Sequence, residues 1–352
     1  MRRLADLGTG GLTYAAAGVS IAAGDEAVER ITGLVDATRR PEVLGGVGGF
    51  AGRFALDVAR YRDPVLVASA DGVGTKLEVA RRAQNYRTVG LDLVAMLVDD
   101  LVCVGAEPLF VLDYVAVGDL VPARLAELVE GVAEGCRIAG AALLGGETAE
   151  HGGVMAPDEL DLAGFAVGVV ERDEQWGPDR VRPDDRLVAL ASPGLRSNGY
   201  SLARRVLLEP DGDLDAPAWP GASVRLGEEL LRPSVIYAPV VRALAAAHPG
   251  ALHAAAHVTG GGVVGNLPRV LPPGLGAVLA TAAIETPEIF LEIQRRGRVA
   301  SDEMLRVFNC GVGMVLVVDA TAAEAIVEGA RAAGLGASVA GGLEPGSGVR
   351  LT

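Results

Sequence analysis

Pro64-Val65-Leu66-Val67-Ala68-Ser69-Ala70-Asp71-Gly72-Val73-Gly74-Thr75-Lys76-Leu77 carries the decisive pattern of this chain. Residues 64–70 are apolar or small and suit a buried strand. A glycine-rich loop follows at 71–76, and 77–82 starts a helix. Strand, glycine loop and helix in direct succession are the repeating unit of layered α/β folds. Gly72 and Gly74 let backbone N–H groups approach an anion closely. Asp71 offers the oxygen ligand that Mg²⁺ shares with phosphate oxygens, while Thr75 and Lys76 stand where a phosphate would sit. The P-loop spacing GxxxxGK[ST] is absent. A plain Asp-Gly turn is the alternative.

One count favours function. Among 31 basic residues Lys76 is the single lysine; the rest are arginines. Arginine is a bulky planar fork and lysine a compact point charge on a thin stem. A chain that otherwise uses arginine throughout has kept lysine in its tightest loop.

Outward from this unit the alternation continues. A helix is expected at 89–104 with Thr88 as cap, a strand at 109–117, a helix at 123–139, a short strand at 141–144 and another strand at 160–171. Polar composition with two prolines at 171–185 marks a boundary, giving domains 1–172 and 173–352. The second half reads as strand 187–191, helices near 199–208 and 234–247, strand 252–258, a strand near Ala277, a helix near 288–296, strand 313–318 and a helix at 322–333. The expected class is α/β in two domains. A length of 352 residues agrees with that.

Composition narrows the function. Half the residues are hydrophobic and 22% are charged, which excludes disorder. A net charge of −14 with no basic run longer than two residues argues against nucleic-acid binding. Anionic ligands must then be held by local devices. Cys103, Cys136 and Cys310 fit neither CxxC nor a zinc set and imply free thiols in a reducing cytoplasm. The first eight residues lack a signal-peptide core, and no apolar stretch is long enough for a membrane span.

Further constellations carry chemistry. Asp92, Asp99 and Asp100 lie in the apolar helix 89–104, with Asp92 and Asp99 on nearly one stripe. Buried carboxylates need partners or metal, so a cation site shared with Asp71 is the functional expectation and a solvent-facing stripe the alternative. Gly145-Gly146-Glu147-Thr148 ends a strand and would place Glu147 near that cation, or form a simple cap. The Gly48/Gly49 cluster is either a lid or a linker. In the second half, Ser197-Asn198-Gly199, Thr259-Gly260-Gly261-Gly262 after His257, and Asn309 before Cys310-Gly311 are glycine-rich turns of the kind that seat a phosphate. His257 is the one candidate acid/base.

Taken in order, these segments resemble the aminoimidazole ribonucleotide synthetase family, also called phosphoribosylformylglycinamidine cyclo-ligase. The resemblance runs from Tyr14 to about Val318. It includes Thr38-Arg39-Arg40-Pro41-Glu42-Val43, Asp71-Gly72-Val73-Gly74-Thr75-Lys76, Gly105-Ala106-Glu107-Pro108, Gly145-Gly146-Glu147-Thr148, Ser197-Asn198-Gly199-Tyr200, His257-Val258-Thr259-Gly260 and Phe308-Asn309-Cys310-Gly311. It implies a cytoplasmic homodimer joined through the amino-terminal sheets, with ATP and Mg²⁺ as cofactors. The implied reaction converts formylglycinamidine ribonucleotide to aminoimidazole ribonucleotide. On that basis Gly48, Gly49, Asp71, Gly72, Gly74, Thr75, Lys76, Gly146 and Glu147 are expected at ATP. Asp71, Asp92, Asp99, Asp100 and Glu147 are expected at the metal. Arg196, Ser197, Asn198, Gly199, His257, Thr259, Gly260, Gly261, Gly262 and Asn309 are expected at the substrate, with His257 and Lys76 catalytic. Two departures stand out. Arg196 occupies a position where relatives usually carry histidine, and it cannot titrate near neutrality. A lysine that many relatives carry around Thr32 is absent. A relative that activates a different small substrate with ATP is the alternative.

Overall fold

The computed structural model describes residues 11–14, 16 and 18–352; the stretch 1–8, read above for a signal peptide, lies outside them. The amino-terminal half contains α1 (Ile21–Asp36), β1 (Val43–Leu44), β2 (Arg53–Phe54), β3 (Pro64–Gly72), α2 (Lys76–Ala83), α3 (Arg87–Val102), β4 (Glu107–Val117), α4 (Pro122–Ala139), β5 (Ala142–Glu150) and β6 (Leu160–Glu171). The carboxy-terminal half adds β7 (Arg186–Ala191), α5 (Tyr200–Leu207), α6 (Leu226–Leu230), α7 (Ala238–Ala247), β8 (Leu252–His257), α8 (Gly262–Asn266), β9 (Leu275–Leu279), α9 (Glu288–Gly297), α10 (Ser301–Val307), β10 (Val312–Val318), α11 (Ala323–Ala332), β11 (Ala337–Pro345) and β12 (Val349–Leu351).

The first sheet has the order β3-β6-β4-β5, antiparallel except for the parallel β4–β5 pair. Helices α3 and α4 lie on one face. From Val89 to Val102 every residue of α3 except Asp100 is buried, as expected of a helix whose residues are apolar on every side apart from three aspartates. Two glycines let α3 and α4 touch backbone to backbone. A Cβ on Gly90 would stand 2.3 Å from the Leu128 carbonyl, and one on Gly131 would stand 1.8 Å from that of Arg87. The helix begins earlier than its sequence suggests: Tyr86 rather than Thr88 holds the cap position, with its N–H donated to Glu127 at 2.9 Å.

Two strands run further than expected. β3 continues through Gly72, so the loop proper is only Val73, Gly74 and Thr75. β5 continues to Glu150, so Gly145, Gly146 and Glu147 lie within a strand. Gly146 is needed there because a Cβ would fall 1.7 Å from the Asp113 carboxylate.

The second sheet has the order β12-β9-β11-β7-β10-β8, antiparallel apart from β12–β9. It is covered on both faces. Leu316 and Val318 join the core with Val327 of α11, while Val315 and Val317 join a second core with Val263 and Leu267. The polar segment 172–185 connects the halves. Within it the Trp176 ring lies against Gly105, and the Trp176 backbone N–H donates to the Val104 carbonyl at 3.2 Å. Among the described residues no helix is long and apolar enough to cross a membrane.

Candidate active site

The aspartate stripe of α3 does not assemble the expected cation site. Asp92 is fully buried, and its Oδ2 lies 2.5 Å from the equally buried Lys76 ammonium. Its Oδ1 accepts the Ser234 N–H at 2.7 Å and the Ser234 hydroxyl at 2.6 Å. Asp99, also buried, accepts the N–H groups of Tyr237 and Ala238 at 2.8 and 2.9 Å, at the start of α7, and the Arg196 guanidinium at 2.9 Å. Both carboxylates are therefore consumed in fastening the second half to α3. Burial pushes Asp99 up, and Arg196 opposes it.

Lys76 departs from its expected role for the same reason. Its ammonium donates to the carbonyls of Arg196 and Arg232 at 3.1 and 2.9 Å besides meeting Asp92. It faces the interior between the halves, not the open loop. Burial pulls its pKa down and Asp92 pulls back. Arg196 likewise serves structure. It is buried, with Nη1 donated to the Val235 carbonyl at 2.8 Å, so it is not placed to contact a phosphate.

The residues that do line an open cleft are fewer. Asp71 is the penultimate residue of β3, and the Asp100 side chain is 44% exposed beside it. Burial pushes Asp71 up and the charge of Asp100 adds to that. Burial would push Asp100 up too, but hydrogen bonds from His257 and Ser69 bring it below its ordinary value. The two neighbouring carboxyl groups are thereby driven apart in acidity. Thr75 reaches across to the second half, its Oγ1 lying 3.3 Å from the Ser201 hydroxyl. Ser197 Oγ and Asn198 Oδ1 are buried atoms with no hydrogen-bond partner among the described residues, next to Gly199 in the left-handed region at φ +77°. A Cβ on Gly260 would lie 3.9 Å from Asn198 Nδ2, so the two glycine turns face one another.

Glu147 and the Gly48/Gly49 turn are elsewhere. Asp71, Gly164, Asp113 and Gly146 form one row across the sheet. Three strand spacings separate its ends, roughly 14 Å. Glu147 comes one residue further and points to the opposite face. Gly48 and Gly49 lie in the β1–β2 connection, and Gly52 of the same connection is held against Leu144 of β5. Within one chain these residues cannot share a ligand atom with Asp71. Among the described residues no group of three or more His, Cys, Asp or Glu side chains is arranged to hold a metal ion.

The remaining turns are held from within. Asn266, which the sequence reading passed over, donates to the carbonyls of Gly260 and Gly262 at 3.3 and 2.8 Å and lies 3.4 Å from the Thr259 hydroxyl. Gly261 and Gly262 have φ +104° and +60°. Asn309 is used up tying two loops together, donating to the Gly194 carbonyl of a separate segment and accepting the Gly311 N–H of its own turn. His257 ends β8, with its ring between Arg196 and Asp100. Asp113 was also missed; burial under the sheet pushes it up to about 7. Its neighbours Leu112 and Tyr114 made it look like an ordinary strand residue.

Comparison with known proteins covers both walls of this cleft. The family described as AIR synthase related protein, N-terminal domain, matches residues 56–170, and its C-terminal domain counterpart matches 182–352. A phosphoribosylformylglycinamidine cyclo-ligase from an Anaeromyxobacter species is 53% identical over 96% of this chain and 97% of its own length. One from Citrifermentans bemidjiense is 50% identical over 90% of each. In fold, the chain is similar to the thiamine-monophosphate kinase of Stenotrophomonas maltophilia, with TM-score 0.65 and 19% identity over 92% of this chain and 95% of that one. It is also similar to a hydrogenase maturation protein HypE in complex with ATP, with TM-score 0.63 and 17% identity over 90% and 86%. With half its residues shared along nearly the whole length, the chain belongs to the phosphoribosylformylglycinamidine cyclo-ligase family.

Proposed function

We propose that this chain closes the imidazole ring of 5-aminoimidazole ribonucleotide from formylglycinamidine ribonucleotide, at the expense of ATP, in purine biosynthesis. The observation that carries the proposal is the 53% identity over 96% of the chain, which takes in both walls of the cleft. The chemistry suits what the cleft offers. An amide oxygen is a poor leaving group, and transfer of the terminal phosphoryl group of ATP makes it a good one. The amidine nitrogen then attacks the activated carbon, and the oxygen departs as phosphate. Such a site works by positioning two anionic ligands and stabilising developing charge. No nucleophilic side chain is required.

Ser197 and Asn198, with their unpartnered buried oxygens, and the facing Gly260 turn are the groups proposed to hold the substrate. Asp71 and Asp100 are the carboxylates proposed to hold Mg²⁺. An open pair of neighbouring carboxylates fits a cation that takes one or two of them together with phosphate oxygens. The ion would screen the phosphate charge. Lys76, Asp92 and Asp99 then act indirectly, by fixing one wall of the cleft against the other.

A homodimer belongs to the same proposal. The face of the first sheet away from α3 is open and apolar, with Leu66 62% and Phe165 53% exposed. A second copy packed on this face would cover it. It would also be the means of bringing the Gly48, Gly49, Gly146 and Glu147 edge to a cleft that its own chain keeps it from.

The assay is direct. Purified protein with Mg²⁺ and ATP should release ADP only when formylglycinamidine ribonucleotide is present, in step with a diazotisable aminoimidazole product. ADP release without that product, or no turnover at all, would refute the proposal.

A further inference from the structure

The Asp100 carboxylate is held by a relay that no sequence motif and no step of the proposed reaction accounts for. Arg196 Nη2 lies 2.9 Å from His257 Nε2, and His257 Nδ1 lies 2.9 Å from Asp100 Oδ1. Asp100 Oδ2 accepts the Ser69 hydroxyl at 3.0 Å. We propose that Arg196 and His257 are positioning residues that aim Asp100 into the cleft. His257 is the neutral Nδ1–H tautomer and moves no proton.

The direction of every bond follows from the donor inventory. A guanidinium only donates, so Nε2 must accept with its lone pair. The ring's one proton is then on Nδ1, donated to Asp100. A doubly protonated ring would set two donors against each other at Nε2. The Nε2–H tautomer would do so too, and would leave a lone pair facing a carboxylate. Arg196 cannot turn away to relieve either. The same Nη2 serves Asp99, Nη1 serves the Val235 carbonyl, and the guanidinium carbon sits 4.9 Å from the centre of the Tyr237 ring. The Arg196 backbone is left-handed at φ +62°, a conformation that a non-glycine residue keeps only when its surroundings impose it.

Burial completes the argument. The His257 side chain is 3% exposed, whereas that of Asp100 is 44% exposed. A ring walled in by two spent partners is badly placed to exchange protons with a substrate. It is well placed to orient a carboxylate that touches the ligand, as outer-layer partners of ligating groups do. This inference deepens the proposed reaction and rests on it only for the identity of what the cleft holds.

Two measurements test it. In full-length protein labelled with ¹⁵N-histidine, a long-range proton–nitrogen correlation reports each ring's tautomer at neutral pH; the His257 signals are those lost in His257→Asn. The expected result is a proton on Nδ1 and none on Nε2. A proton on Nε2, with or without one on Nδ1, overturns the proposal. The tautomer is read on wild-type protein and does not depend on the cyclo-ligase assignment. In the activity assay, His257→Ala should lower turnover roughly 10–100-fold. His257→Asn, whose side-chain amide can donate in place of Nδ1, should recover most of that loss. Equal losses in the two variants would mean that the ring itself transfers a proton, and the proposal falls.

Discussion

In the second sheet every residue of β10, from Val312 to Val318, is buried, and successive side chains enter two separate cores. In the first sheet β3 alternates, and its outward residues, Leu66, Ala68 and Ala70, are exposed. A sheet covered on both faces reads as a continuous apolar run, and one covered on a single face reads as apolar alternating with polar. The first sheet does neither. Its covered face is apolar and so is its open one, where Phe165 lies opposite Ala70. The second sheet is finished by its own chain, whereas the first leaves an apolar face open in the single chain, with Leu66 and Phe165 exposed.

That contrast can be broken in three ways. The largest effect should come from charging the open face. Leu66→Glu combined with Phe165→Glu should abolish self-association entirely, read as the mass in sedimentation, while leaving the fold intact. A wild-type protein that is already monomeric would remove the contrast at its root. Next is the join between the halves. Lys76→Met strands Asp92 as a buried charge without its counter-ion, a change that costs about 3–5 kcal/mol. The urea midpoint should fall accordingly, and a loss of the size typical of surface pairs, below about 1 kcal/mol, would mean that the ammonium is not the clasp. The smallest effect compares equivalent leucines. Leu316→Ala, in the doubly covered sheet, should cost about 2–5 kcal/mol. Leu66→Ala, in a monomeric background, should stay within about 0.5 kcal/mol. Similar losses at both would show that the first sheet's outer face is packed within the single chain.

Much of the fold was legible because burial writes itself into sequence. The runs at Val312–Val318 and Leu252–His257 and the largely apolar α3 stand out by composition. β11 did not, because Gly341 and Gly342 replace the branched residues that mark strands. β5 was cut short for the same reason at Gly145 and Gly146. The site was less legible than the fold. A carboxylate stripe on an apolar helix looks the same whether it binds a cation or receives N–H groups from 142 residues away, as Asp92 does from Ser234. The rarity of lysine flagged Lys76 as special without indicating what it touches. At Arg196 the identity of the side chain was readable, but its three partners come from three separate segments of chain.

The clasp on α3 has a consequence for how the molecule comes into being. Among the described residues, Asp92 and Asp99 find their backbone donors only in Ser234, Tyr237 and Ala238, and the Lys76 ammonium finds its carbonyls only in Arg196 and Arg232. The two family matches divide the chain at a point that such bonds cross. An amino-terminal fragment made alone would carry three buried charges facing a missing wall. A carboxy-terminal fragment would carry a guanidinium with no acid to meet it. The two halves can be named separately, but they must mature together, and a gene cut between them should yield protein only when both products are present in the same cell.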